Sequence, residues 1–124
     1  MITRRRLKVL IRNVDDIPSV SYGDGAQKRV VFGQKQGAPT FAMRIFDVPP
    51  GGGSSDHSHD FEHQMLILEG EGTLRNEQGD APLKAGSALF VPANERHQLR
   101  NTGKENLRFV CVVPLRGEDS CSPL

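Results

Sequence analysis

Along this chain, runs of four to eight residues in which apolar and polar positions alternate are separated by clusters of Gly, Pro, Asn and Asp, and no long stretch repeats apolar residues at helical spacing. The pattern predicts an all-β protein. Strands are expected at Leu7 to Val14, Lys28 to Phe32, Phe41 to Val48, His63 to Leu68, Gly72 to Asn76, Ala81 to Leu83, Ala88 to Val91, His97 to Arg100 and Leu107 to Val113. Between them, Glu69-Gly70-Glu71-Gly72, Asn76-Glu77-Gln78-Gly79-Asp80 and Asn101-Thr102-Gly103-Lys104 supply residues that accept the positive φ of tight antiparallel connections. Short strands at this spacing favour a sandwich or barrel. Gly51 to Ser55 reads as a flexible turn, since no helix follows it to complete a phosphate cradle, and Gly117 to Leu124 as a loose tail.

Size and charge narrow the function classes. The 124 residues suit one domain, 1–124, with its core over about 28–115. A net charge of +1 offers no global attraction for nucleic acid or an anionic membrane, and Arg4-Arg5-Arg6 reads as a solvated end. The apolar runs Met65 to Leu68 and Phe109 to Val113 fall far short of the ~20 residues of a membrane helix. The segment after the arginines is too short and too charged for a secretion signal, so a cytoplasmic location is expected, with Cys111 and Cys121 as free thiols.

Chemistry concentrates at the histidines. All four, His57, His59, His63 and His97, lie in two short segments that also carry spaced Gly, Pro and Asn residues. His57 and His59 share strand parity, so both can face one ion, His63 has the same parity, and His97 must arrive from a distant strand. Any one of them alone would be read as a surface or hydrogen-bonded core residue; four gathered in this way point to a divalent metal. Asp60 and Glu62 are the nearby carboxylates, read as solvated or as partners of a ligating imidazole.

The two segments, PPGGGSSDHSHDFEHQMLILEGEG and GSALFVPANERHQLRN, resemble the paired motifs of the cupin superfamily, with Gly51, His57, His59, His63 and Gly70 in the first and Gly86, Pro92, Asn94, His97 and Asn101 in the second. Two positions depart from the common pattern. His63 stands where most cupins place a glutamate, and Asn94 replaces a turn glycine, a mild change because Asn tolerates the left-handed region. The first departure, with the flanking TFAMRIFDVPPGG and LRFVCVVP, makes the chain similar to the four-histidine, manganese-binding cupins. The resemblance implies a double-stranded β-barrel, jelly-roll-like, with His57, His59, His63 and His97 as metal ligands. Ligand softness alone suits imidazoles to zinc, copper, nickel or iron. The resemblance instead puts manganese first and iron second, with nickel, copper or zinc behind them. Gly51, Gly70, Gly86, Pro92, Asn94 and Asn101 are expected to shape turns that aim the ligands.

Parity also suggests the cavity wall. Placing Arg44 outward turns Phe41, Met43 and Ile45 inward; placing Arg108 outward turns Phe109, Cys111 and Val113 inward; and Met65 and Ile67 share a face with His63. An apolar pocket results, with Cys111 read as packing and Tyr22 in a loop outside it. Four neutral imidazoles leave the charge of a divalent ion uncompensated, which favours a small anionic or chelating ligand. Three functions compete: a metal-dependent oxidoreductase, an oxygenase joining O2 to a small enol, diketone or unsaturated compound; a non-enzymatic binding module; and a Lewis-acid isomerase or lyase. A homodimer is expected, because Leu7 to Val14 would otherwise be an apolar edge strand.

Overall fold

The computed structural model describes residues 9–56 and 58–121, with side chains as far as Glu118. Its strands are β1 (Val20–Tyr22), β2 (Ala26–Phe32), β3 (Phe41–Val48), β4 (His63–Glu69), β5 (Glu71–Asn76), β6 (Gly79–Lys84), β7 (Ala88–Val91), β8 (Gln98–Arg100) and β9 (Leu107–Pro114). Six of them form one antiparallel sheet in the order β1-β2-β3-β9-β4-β7, and a second, antiparallel sheet runs β6-β5-β8. The architecture is an all-β jelly roll.

Strand β9 occupies the middle of the larger sheet because both its edges are paired: Arg44 and Met65 lie opposite Cys111 from β3 and β4, and Phe46 and Ile67 lie opposite Phe109. Its sequence suits that place. Leu107, Phe109, Cys111 and Val113 are all buried on one face, as strict alternation requires. The interior is packed with Phe46 stacked on Phe109 at 5.0 Å and Tyr22 edge-on to Phe46 at 5.2 Å. On the outer face, Asp47 accepts hydrogen bonds from Arg29, Arg108 and Asn106 at 2.7 to 2.8 Å and so ties β2, β3 and the start of β9 together.

The two sheets are stitched at the segment that follows β3. Gly53 bridges to Asp24 and Gly25 on one side and to Arg100 on the other, Ser54 N–H donates to the Leu99 carbonyl, and buried Asn101 donates through Nδ2 to the carbonyls of Val48 and Glu105, both at 2.7 Å. Gly70, at φ 86°, brings its Cα so close to Asn106 that a Cβ would lie 2.3 Å from that residue's carbonyl oxygen, so only glycine fits this turn.

Three expectations need correction. Over its described part the apolar run Leu7 to Val14 is not a strand: Val9, Leu10 and Ile11 are exposed, and Val14–Asp16 forms a 3₁₀ turn. Asn13 causes this, because its side chain accepts the Asp15 N–H at 2.9 Å and offers the backbone a local partner in place of a neighbouring strand. Ile17, just after that turn, anchors the segment against Val31 and Ile45 on the outside of the sheet, together with Val14 and with Arg12, whose Nη1 donates to the Val31 carbonyl. Tyr22 is not in a loop. It ends β1, which pairs with β2 through a turn whose Gly23 and Gly25 both take positive φ, and it is buried. The expected loose tail instead begins as a helix, α1 (Leu115–Cys121). Among the described residues no helix is long and apolar enough to cross a membrane.

Acid should act through Asp47. Burial works against its charge, but the bonds from Arg108 and Asn106 outweigh burial and hold its carboxyl below the ordinary range. A depressed folded pKa contributes stability that is complete above the unfolded value of about 3.9 and is lost as pH falls through the lower folded value. Asp47→Asn should therefore melt lower than the parent at pH 7, by roughly 2 kcal/mol, with the difference shrinking as pH falls below about 4. Paired thermal melts across that range check it.

Candidate functional site

Among the described residues, one loop and the starts of two strands carry the histidines. His63 opens β4 and points inward with Met65 and Ile67, while Gln64, Leu66 and Leu68 point out. His97, immediately before β8, is buried as well. His59 lies in the loop between β3 and β4, half buried, and its carbonyl accepts the N–H of Asn94. Asn94 makes that bond from φ 70°, so the residue that replaces a turn glycine is the one that pins the second motif to the first. Further ties run between the same segments: Arg96 pairs with Asp56 at the surface, and Gln98 Nε2 donates to the Ser54 carbonyl at 2.9 Å. His57 lies outside the described residues.

The three described imidazoles converge. Ring centroids are 4.8 Å apart for His63 and His97, 5.2 Å for His59 and His63, and 6.0 Å for His59 and His97. Nδ1 of His97 is 3.0 Å from the Glu95 carbonyl oxygen, which can only accept, so Nδ1 is the donor of that bond. Nδ1 of His63 is 3.4 Å from Cys111 Sγ. The donor chemistry fits a divalent ion. The ring orientations fit it less well: His59 is stacked between Phe61 at 4.6 Å and His63, and among the described residues no group of three donors encloses a common point. Coordination by His59 therefore requires its ring to leave that stack.

The wall is not the apolar one expected. Phe41 and Met43 face outward, 58 % and 37 % exposed, and Ile45 is buried on the outer side of the sheet with Ile17 and Val31. The other parity of β3 faces in, so Ala42, Arg44, Phe46 and Val48 line the interior beside Met65, Ile67, Phe109, Cys111 and Val113. Arg44 is 1 % exposed, and from β2 comes Lys28 at 2 %. Glu118 of α1 accepts from both, at 2.7 Å each, and Arg44 Nη2 lies 3.2 Å from Cys111 Sγ. A polar chain thus runs from His63 through Cys111 and Arg44 to Glu118 and Lys28. Burial pushes the Cys111 thiol up, with Arg44 only partly offsetting it. Burial opposes the charges of Arg44 and Glu118 too, yet contact with Cys111 and Glu118 holds the guanidinium above its ordinary value, and the bonds from Lys28 and Arg44 hold the carboxyl below its own. Asp60 is exposed, pairs with Arg116 and interacts electrostatically with His59, and Glu62 is exposed.

With the jelly roll and this cluster in view, comparison with known proteins places the chain. The family profile described as a cupin domain matches residues 44–113, more than half of it. The chain belongs to the cupin family. Among curated relatives of this cupin, auxin-binding protein 1 of Arabidopsis thaliana is 30 % identical over 84 % of the chain, and the oxalate-binding protein of Thermotoga maritima is 38 % identical over 55 % of it. The chain spans only 58 % and 57 % of those two proteins. Among solved structures, the polyketide cyclase RemF of Streptomyces resistomycificus superposes with a TM-score of 0.80 at 26 % identity, over 86 % of this chain and 80 % of its own.

The Asn94 contact gives a backbone test. Asn94→Gly should be close to neutral, whereas Asn94→Val should lose about 1–2 kcal/mol, because a β-branched residue resists positive φ. Chemical denaturation of the two variants measures the difference.

Proposed function

We propose that this cupin holds a divalent ion among His59, His63 and His97, with His57 completing the set, and presents it to a small anionic, chelating ligand such as a carboxylate, enolate or diketonate. The observation that carries the reading is the convergence of three imidazoles in the barrel, one of them with Nδ1 held by a backbone carbonyl that orients its ring. His57 enters on its spacing from His59. Manganese ranks first on the resemblance to four-histidine cupins, iron second, and nickel, copper or zinc after them. Met65, Ile67, Phe109 and Val113 keep bulk water from the cluster, and the buried Arg44 and Lys28 add to its positive field. The name of the oxalate-binding relative supports a small anion as ligand.

An ion held there supplies Lewis acidity and, in the catalytic version of this reading, oxygenase chemistry between O2 and a small enol, diketone or unsaturated compound. Isomerase or lyase chemistry ranks behind, because Asp60 is occupied at the surface by Arg116 and Glu62 is exposed. Replacement of His59, His63 or His97 by alanine should lower the metal content of protein purified without chelator by about tenfold or more while the far-ultraviolet spectrum stays that of a β protein. Full metal retention in His63→Ala would remove the four-histidine assignment. Binding should also weaken as pH falls below about 6.5, since each ligating nitrogen must shed its proton. Oxygen-uptake assays on the manganese, iron, nickel and copper forms with enols and diketones separate turnover from binding.

A second copy is the partner that this surface favours. Its edge-strand route falls with the Leu7 to Val14 strand, but the outer face of the larger sheet carries an apolar row of Met43, Val112 and Phe90 in register with Gln64, with Leu66 and Ala88 beside it. Phe90 is 60 % and Leu66 41 % exposed. Phe90→Glu should shift the protein toward monomer in sedimentation at micromolar concentration; an unchanged dimer would move the interface elsewhere.

A further inference from the structure

Lys28 and Arg44 are cations from adjacent barrel strands, almost wholly buried, with one carboxylate between them. That carboxylate does not belong to the barrel. Glu118 comes from α1, a seven-residue helix after the last strand. Its hold on Arg44 is incomplete: Glu118 takes Nη1, Cys111 takes Nη2, and Nε is buried with no hydrogen-bond partner among the described residues. A guanidinium offers its donors in a planar fork that suits a bidentate carboxylate, so Arg44 retains donor capacity that Glu118 does not use. Beside the pair lies a cavity of about 390 Å³ whose lining includes Lys28, Glu118, Ile17, Pro18, Val20 and Val30. That volume is in the range of small-ligand sites, and its walls combine these apolar side chains with the polar Gln34, Lys35 and Gln36.

We propose that Lys28 and Arg44 form a carboxylate-binding site which the chain fills with its own Glu118, and that a small carboxylate entering the site displaces Glu118 and loosens α1 from the barrel. The exchange replaces one carboxylate by another, so the buried charge does not change. What it costs is the docking of α1, whose Arg116–Asp60 ion pair is exposed and worth little. Because Glu118 is tethered, a free carboxylate competes with an effective concentration on the order of millimolar or above, and the ligand must be abundant or gain further contacts in the cavity. The consequence reaches the histidines. Gly117 sits so close to Phe61 that a Cβ there would lie 2.8 Å from the ring, and Phe61 stacks on His59 at 4.6 Å. Release of α1 therefore frees one face of the ring that holds His59 in its stack.

The site needs no metal, and its test is made on metal-free protein, so it stands or falls apart from the ligand set proposed above. Glu118→Ala removes a fragment with the size and charge of acetate and leaves two buried cations without it; the variant should melt roughly 10 °C or more below the parent. Acetate or formate should restore several degrees of that loss relative to chloride at equal ionic strength, and should not do so in Glu118→Ala combined with Arg44→Met. Acetate that stabilises Glu118→Ala no better than chloride overturns the proposal. Should Glu118→Ala fail to fold, hydrogen exchange of the wild-type chain decides: acetate is expected to speed exchange across residues 115–118 over chloride, and equal exchange in the two salts overturns the proposal.

Discussion

The double pairing of β9 is the constraint on which the interior depends. With β3 on one edge and β4 on the other, a single row of the sheet sets Arg44, Cys111 and Met65 side by side, and the neighbouring rows set Phe46 beside Phe109 and Ile67. Because strand side chains alternate strictly, that register leaves no freedom. Once Cys111 faces in, Arg44 must face in too, and His63, two residues before Met65, must face the same cavity. The imidazole cluster and the buried cations are thus two ends of one pattern of hydrogen bonds between backbones.

How far this could be read from residues alone depended on whether a strand's two faces differ. In β9 they differ by a charge, since Leu107, Phe109, Cys111 and Val113 oppose a face that includes Arg108, and in β4 His63 marks the face of Met65 and Ile67 against that of Gln64, Leu66 and Leu68. Those inward sets were legible. In β3 the faces are evenly matched: Phe41, Met43, Ile45 and Asp47 on one, Ala42, Arg44, Phe46 and Val48 on the other, three apolar residues and one charge apiece. Nothing local decides between them. What decides is Glu118, 74 residues further on, which makes the inward guanidinium tolerable, while Arg29 and Arg108 do the same for an outward Asp47. His59, His63 and His97, singled out by their spacing, do approach one another in the fold; the orientation of the His59 ring was not legible, because it is set by packing on Phe61 rather than by parity. Asn13 likewise outbid an apolar run that propensity would have made a strand.

Burying Arg44 and Lys28 against a single helix-borne carboxylate gives the last described element a different standing from an ordinary terminal helix. An ion pair in a dry interior is a poor source of stability compared with apolar packing, but breaking it is expensive. The arrangement therefore makes the barrel intolerant of losing α1 while contributing little when α1 is present. Leu115 packs on the core and donates its N–H to the Thr40 carbonyl, Gly117 lies against Phe61, and Arg116 sits over the Phe61 ring and pairs with Asp60.

Cys111 has a use that its packing role does not suggest. It is a free thiol, 1 % exposed, kept protonated by its surroundings and enclosed between Arg44 and the His63 ring at the middle of the central strand. Alkylating reagents attack thiolates they can reach, so this sulfur is silent while the barrel stays shut. Its labelling rate is then a stopwatch for breathing of the interior, carried by the native sequence and requiring no introduced probe.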